Sequence, residues 1–211
     1  MKKFCMSLLL FILMTINALA GEEQKQKDGN SNLQQYISGK FGFYQASDGL
    51  NNGLLFGIDG ITEFTHHNFF LSGAIDAYYK QTFDFFKDPK LDISKQAIIL
   101  LPLHANFGYE LVEAPTADTR VYAGIGGGYY FYFYSIDYRK SSGGLLGSLT
   151  TESESKNGGS VFATMFVRTL IGKIFIEPRI YLASKDERSI GGSTYVVNPS
   201  GFAITLGFQY H

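Results

Sequence analysis

The chain has 211 residues, with 18 Lys and Arg against 19 Asp and Glu, a formal charge of −1. It carries no basic block, which argues against nucleic acid as a partner. Charged residues make up 18%, below the roughly 25% usual for soluble domains, so something other than water is expected to meet part of the surface.

The first segment, Met1–Ala20, runs from Lys2 and Lys3 through the apolar stretch Leu8–Met14 to Ala18-Leu19-Ala20. That is the layout of a cleavable secretory signal, with the mature chain expected to start at Gly21. The single cysteine, Cys5, lies inside this signal, so the mature protein is expected to have no thiol, disulfide or lipid anchor. Gly21–Gln35 is rich in Gln, Lys, Glu, Asn and Gly; too little of it is apolar to offset the entropy of ordering, and a flexible leader is predicted. The rest, Tyr36–His211, reads as one domain.

Beyond Tyr36, period-2 alternation, β-branched and aromatic residues and Gly/Asn/Asp/Ser punctuation dominate, an all-β pattern. Eight strands are predicted: Tyr36–Ser47, Leu54–Phe64, Asn68–Phe83, Gln96–Leu111, Thr119–Tyr138, Ser160–Leu170, Ile174–Ser184 and Gly201–Tyr210. Each is long enough to cross a bilayer, since a tilted strand needs about 9–11 residues. The predicted outer loops are Asp48–Gly53, Asp84–Lys95, Arg139–Gly159 and Lys185–Ser200, and the inner turns Thr65–His67, Val112–Asp118 and Ile171–Lys173. Three of the four outer connections exceed every inner one, the asymmetry of outer-membrane barrels; Asp48–Gly53 is the exception.

Successive side chains of a strand alternate faces. In the last strand Phe202, Ile204, Leu206, Phe208 and Tyr210 suit lipid, whereas Ala203, Thr205, Gly207 and Gln209 suit a packed lumen. The same division places Lys40, Asp59, Glu63, Asp76, Lys80, His104, Asn106, Glu110, Arg168, Glu177, Arg179 and Gln209 inward. Buried ionised groups must pair, so a mixed-sign network is expected. An eight-stranded barrel is just wide enough for side chains to fill it. The predicted architecture is therefore an eight-stranded antiparallel up-and-down transmembrane β-barrel with a filled polar lumen. In the fifth strand Gly124, Gly126 and Gly128 share one face, leaving room for bulky neighbours. Its aromatic half, Tyr129–Tyr134, is expected at the outer interface as a tyrosine girdle.

The carboxyl-terminal strand Phe202-Ala203-Ile204-Thr205-Leu206-Gly207-Phe208-Gln209-Tyr210 resembles the β-signal read by the barrel assembly machinery. Pro102–Tyr109 and Glu177–Tyr181 are similar in style to mid-barrel strands of the small outer-membrane β-barrel superfamily, which includes the transmembrane domain of OmpA and the OmpX and Opa-like proteins. That family usually ends on the aromatic residue, whereas His211 follows here. The resemblance implies residence in the outer membrane, lipids and the assembly machinery as partners, and a surface partner through the outer loops. It does not specify an activity.

The sharpest catalytic candidate is His104 with Asn106 on the same face. Some outer-membrane barrels of this size remove acyl chains from lipid A with a His-x-Ser pair, but Asn106 offers no nucleophilic oxygen. A hydrogen-bonded lumen histidine is the expected role. His66 and His67 are adjacent in a turn and cannot both aim at one metal from a regular strand. Gly124–Tyr129 lacks the last glycine of a dinucleotide fingerprint and precedes no helix. Glu177 and Arg179 read as an ion pair of the lumen. No catalytic residue, cofactor or metal is expected, and function is assigned to the loops Arg139–Gly159 and Lys185–Ser200. The rival readings are a lipid A-modifying enzyme using His104, a narrow solute channel and a soluble lipocalin-like barrel.

Overall fold

The computed structural model describes residues 33–47, 50, 52–64, 66–82, 92–114, 119–141, 149–190 and 193–210. The signal, the leader up to Ser31-Asn32 and His211 lie outside the described residues. The described residues form ten strands: β1 (Leu33–Ala46), β2 (Asn52–Phe64), β3 (Phe69–Thr82), β4 (Asp92–Ala114), β5 (Thr119–Ser141), β6 (Leu149–Ile171), β7 (Ile174–Ala183), β8 (Asp186–Ile190), β9 (Ser193–Val197) and β10 (Gly201–Tyr210). Eight of them close into an antiparallel barrel in the order β1-β10-β7-β6-β5-β4-β3-β2, while β8 and β9 form a separate hairpin. All eight predicted strands are thus present, and β1 and β10, at the two ends of the barrel sequence, pair from Ile37↔Tyr210 to Ala46↔Gly201.

The boundaries differ from the sequence reading in instructive ways. β1 starts at Leu33, so Leu33–Gln35 of the predicted leader pairs with Phe64, Glu63 and Thr62 of β2. β3 begins at Phe69 because Asn68 adopts φ 54°, a left-handed conformation that asparagine tolerates and a strand does not use. β4 continues to Ala114 past a bulge between Glu110 and Val112. The turn after β6 is the pair Gly172-Lys173; Gly172 has φ 60° at the first central position, where a type II′ hairpin requires glycine.

The largest correction concerns the loop predicted over Arg139–Gly159. β5 extends to Ser141 and β6 begins at Leu149, with unbroken pairing from Tyr129↔Val161 to Ser141↔Leu149. The Ser, Glu, Lys and Gly content of Thr150–Gly159 reads as loop, but cross-strand pairing to the long β5 overrides composition. β4 likewise starts at Asp92, inside the predicted loop Asp84–Lys95, and Lys185–Ser200 contains the β8–β9 hairpin. The connections at the end opposite the termini, 47–51, 83–91, 142–148 and 184–200, are each longer than 65–68, 115–118 and 172–173 at the other end.

The barrel is polar within and oily without. Phe202, Ile204, Leu206, Phe208 and Tyr210 are exposed on β10, as are Ile174, Ile176, Ile180 and Leu182 on β7, whereas Glu177 and Arg179 are buried. Among the described residues, no charged side chain stands on the outward face of the wall between the row Tyr79–Ile99–Phe133 and the terminal end. Tyrosines and phenylalanines flank this belt: Tyr79 and Phe133 at the loop end, Tyr109 and Tyr210 at the other, all exposed.

The expected girdle of fifth-strand tyrosines is not there. Tyr130, Tyr132, Tyr134 and Tyr138 point inward and are buried in one apolar cluster with Tyr44, Leu55, Tyr78, Ile98, Leu100, Phe162 and Tyr181. They share parity with Gly124, Gly126 and Gly128, whose face is the crowded interior. A Cβ on Gly126 would lie 2.3 Å from Asn106 Oδ1, 2.7 Å from the Ala105 carbonyl oxygen and 2.8 Å from Thr164 Oγ1. Gly126→Val is expected to destabilise the barrel by about 1–3 kcal/mol through overpacking, read from urea unfolding in lipid vesicles; an unchanged midpoint would contradict the close approach.

Candidate functional site

The middle of the lumen holds a closed ring of seven polar side chains contributed by six strands. Glu177 on β7 is its hub. Its Oε2 accepts from Arg168 Nε at 2.7 Å and its Oε1 from Arg179 Nε at 2.9 Å, so one carboxylate spans two guanidinium groups. Arg168 Nη2 donates to Asp59 Oδ2 at 2.6 Å, and Lys40 Nζ lies 2.8 Å from Asp59 Oδ1 and 3.0 Å from Asp76 Oδ1. Asp76 Oδ2 meets His104 Nε2 at 3.0 Å and accepts from the Tyr181 hydroxyl at 3.1 Å.

His104 Nδ1 lies 2.9 Å from Asn106 Oδ1 and 3.2 Å from Arg179 Nη1, which closes the ring. Arg179 Nη1 also donates to Asn106 Oδ1 at 2.6 Å and Thr164 Oγ1 at 3.1 Å, and Asn106 Nδ2 donates to Ser72 Oγ at 3.0 Å. Around His104, three cations, Lys40, Arg168 and Arg179, stand among three carboxylates, Asp59, Asp76 and Glu177. All six charged side chains are almost wholly buried. Removing so many charges from water is tolerable because each is ion-paired and held by a second polar contact.

Apolar packing encloses the ring on both sides. Toward the termini lie Tyr36, Ile61, Phe70, Tyr122 and Phe166, with Arg168 over the Phe175 ring at 4.2 Å and Arg179 over Phe166 at 4.4 Å. Toward the loops lies the tyrosine cluster. Its hydroxyls reach the connections above: Tyr44 donates to Pro199 O, Tyr78 to Leu50 O at 2.9 Å and Tyr132 to the Asp186 carboxylate. Leu50 and Val197 are buried against the same cluster.

Of the residues placed inward by alternation, Lys40, Asp59, Asp76, His104, Asn106, Arg168, Glu177 and Arg179 meet in this network. Glu63 sits apart near the terminal end, accepting from Tyr122 at 2.7 Å and Arg120 at 2.5 Å. Lys80 is half-buried at the loop end, where its Nζ donates to the Asn52 carbonyl at 2.5 Å. Glu110 is half-buried beside the β4 bulge, and Gln209 is buried near the terminal end. His66 and His67 are exposed in the turn before β3. Arg120 was not picked out by the sequence reading, and Tyr132, expected in the outer girdle, lies in the lumen, where its parity with the glycines of β5 was the usable signal.

A closed ring of strands with Ile, Leu and Phe outside and paired charges inside inverts a soluble protein, and the lipocalin-like alternative falls with it. The chain is an eight-stranded, antiparallel up-and-down transmembrane β-barrel. Among solved structures this barrel is similar to Ail, the attachment invasion locus protein of Yersinia pestis, at 15% identity and TM-score 0.45 over 86% of this chain and 100% of that one. Neisserial surface protein A is similar at 15% identity and TM-score 0.46, covering 85% of this chain and 98% of that one. A major outer membrane protein from Thermus thermophilus shares 10% identity at TM-score 0.45, over 84% of this chain and 100% of that one. No family model matches the sequence, and no curated protein matches it.

Beyond the lipid belt the barrel wall continues as a three-stranded sheet of β4, β5 and β6. Its outward face turns polar at Ser135, Asp137 and Arg139, opposite Ser155, Ser153 and Thr151. On the inward face Tyr138 donates to Glu152 at 2.9 Å and Glu154 at 3.1 Å. The bond to Glu152, with that to Glu154, pushes the Tyr138 phenol up to about 12. The phenol therefore stays a donor at any physiological pH and fastens the two strands together.

Proposed function

We propose that this is an integral outer-membrane protein with a structural or surface-interaction role carried by the loop end. The observation that supports this reading is the closed charge ring: its ionic groups are paired with one another across the middle of the lumen. The segments free to meet other molecules are the β4–β6 projection, the β8–β9 hairpin and the connections around them. The partners in this reading are outer-membrane lipids around the belt, the barrel assembly machinery through the Phe202–Tyr210 strand, and a surface partner at the loops. The amino-terminal signal delivers the chain to the periplasm.

An epitope inserted between Ser141 and Leu149 is expected to label with antibody on intact cells. Labelling only after permeabilisation would reverse the orientation and remove the surface role.

The enzyme reading has little to stand on in the lumen. Both His104 nitrogens are engaged by Asp76 and Arg179, and Asn106 stands where a hydroxyl nucleophile would be needed. Lipid A from cells with and without the protein is expected to have the same acyl composition by mass spectrometry; a lost acyl chain would overturn the non-enzymatic reading. The channel reading meets a lumen filled from Phe70 to Tyr132, and planar-bilayer recordings are expected to lack discrete conductance steps.

A further inference from the structure

Two prolines stand inside barrel strands, Pro102 in β4 and Pro178 in β7, within a closed sheet that offers no edge to accommodate them. The backbone groups of a strand point alternately to its two neighbours. The Glu110 N–H bonds to the Asn68 carbonyl, so even positions of β4 are aimed at β3; the Ser184 N–H bonds to the Val161 carbonyl, so even positions of β7 are aimed at β6. Pro102 therefore withholds an N–H from Asp76 on β3, and Pro178 withholds one from Val167 on β6. Pairing lapses at both places, between Ile75↔Leu103 and Tyr78↔Leu100 on one side and between Phe166↔Arg179 and Thr169↔Ile176 on the other. The β4–β5 and β5–β6 pairings run through this region unbroken, as do those that join β7, β10, β1, β2 and β3. The two interrupted seams thus bound β4, β5 and β6, the three 23-residue strands that carry the projection.

Ring side chains cross each seam where the backbone bond is missing. Between β3 and β4, Asp76 meets His104 at 3.0 Å and Asn106 donates to Ser72 at 3.0 Å. Between β6 and β7, Arg168 donates to Glu177 at 2.7 Å and Arg179 to Thr164 at 3.1 Å. β5, in the middle of the three, contributes no charge to the ring; its lumen face there is Gly124, Gly126 and Gly128. We propose that β4–β6 is a movable slab: the barrel yields along the two proline seams, and the buried charge ring is the latch that holds the slab shut. A rigid cylinder would be better served by residues with an N–H at both positions, because a backbone carbonyl without its donor is costly inside a bilayer. The outer end of the slab is the projection, so a contact made there bears on both seams and on the ring between them. The inference is independent of which partner the projection meets.

Amide hydrogen exchange, followed residue by residue by NMR on the barrel folded in detergent micelles, reads the opening of each seam. The amides of Ala74 and His104 at one seam, and of Val167 and Ile180 at the other, are expected to exchange about tenfold faster than those of Ala105, Gly127, Gly126 and Thr164 inside the slab. Asp76→Asn touches the latch at the first seam alone. It should speed exchange at both seams by about a further tenfold and leave the amides inside the slab unchanged. Pro178→Ala returns the missing N–H, keeps the test available should Asp76→Asn not fold, and should slow Val167 and Ile180. Equal wild-type rates at the seams and inside the slab would overturn the proposal. So would acceleration in Asp76→Asn that stays at the first seam or spreads evenly through β4–β6, and so would unchanged exchange of Val167 and Ile180 in Pro178→Ala.

Discussion

Glu177→Ala is expected to cost the folded barrel about 3–5 kcal/mol, because it takes the paired carboxylate from buried Arg179 and leaves buried Arg168 with Asp59 alone. Glu177 is the only residue that contacts both Arg168 and Arg179 in the ring, and Asp59 already serves Lys40 as well as Arg168. Urea titration in lipid vesicles would read the loss as a lower midpoint with unchanged slope. Glu177→Gln keeps an acceptor oxygen but not the charge, and should fall between wild type and alanine. A loss below about 1 kcal/mol would mean that the pair behaves like an exposed one, and that the ring is wetter than its burial indicates.

Leu206→Arg is expected to destabilise the barrel by about 2–4 kcal/mol, the cost of a cation on a lipid-facing wall near the membrane midplane. Leu206 is exposed and pairs with Phe41 on one side and Ile176 on the other, both exposed and apolar. The same change in water would be nearly neutral, since an exposed leucine has little burial to lose. The experiment therefore separates solvents as much as it measures stability. Equal stability of Leu206→Arg and wild type in vesicles would place this face in water.

The strands easiest to read were those whose two faces differ in chemistry. β7 alternates Ile with Glu and Arg, and β10 alternates Phe, Ile and Leu with Ala, Thr and Gln, so parity alone assigned inside and outside. β5 was harder because Tyr and Phe occupy both faces of its outer half, and an aromatic ring serves equally in a lumen or an interface. Its glycines carried the answer: Gly124, Gly126 and Gly128 must face the crowded side, and Tyr130 to Tyr138 share that side. The β5–β6 projection was hidden for another reason. Thr150–Gly159 has little intrinsic strand signal and is held by its partner, through Tyr138 with Glu152 and Glu154 among other pairs.

The residues of the candidate site were legible and their connectivity was not. Alternation alone put Lys40, Asp59, Asp76, His104, Arg168, Glu177 and Arg179 inside, because a charge on the lipid face is too costly. Which carboxylate meets which cation depends on strand register and stagger, and these follow from pairings between residues as distant as Asp59 and Arg168. Lys80 and Glu110 show the limit of parity: both lie on the inward side, yet each sits too near a barrel mouth to join the ring.

The most direct test is spin-label accessibility along β10, with single cysteines placed in turn from Phe202 to Tyr210 in reconstituted protein. Labels at even positions should be relaxed strongly by oxygen dissolved in the lipid, and those at Ala203, Thr205, Gly207 and Gln209 should be shielded. A flat profile, or one with the parity reversed, would contradict the account of an oily exterior around a charged and filled interior.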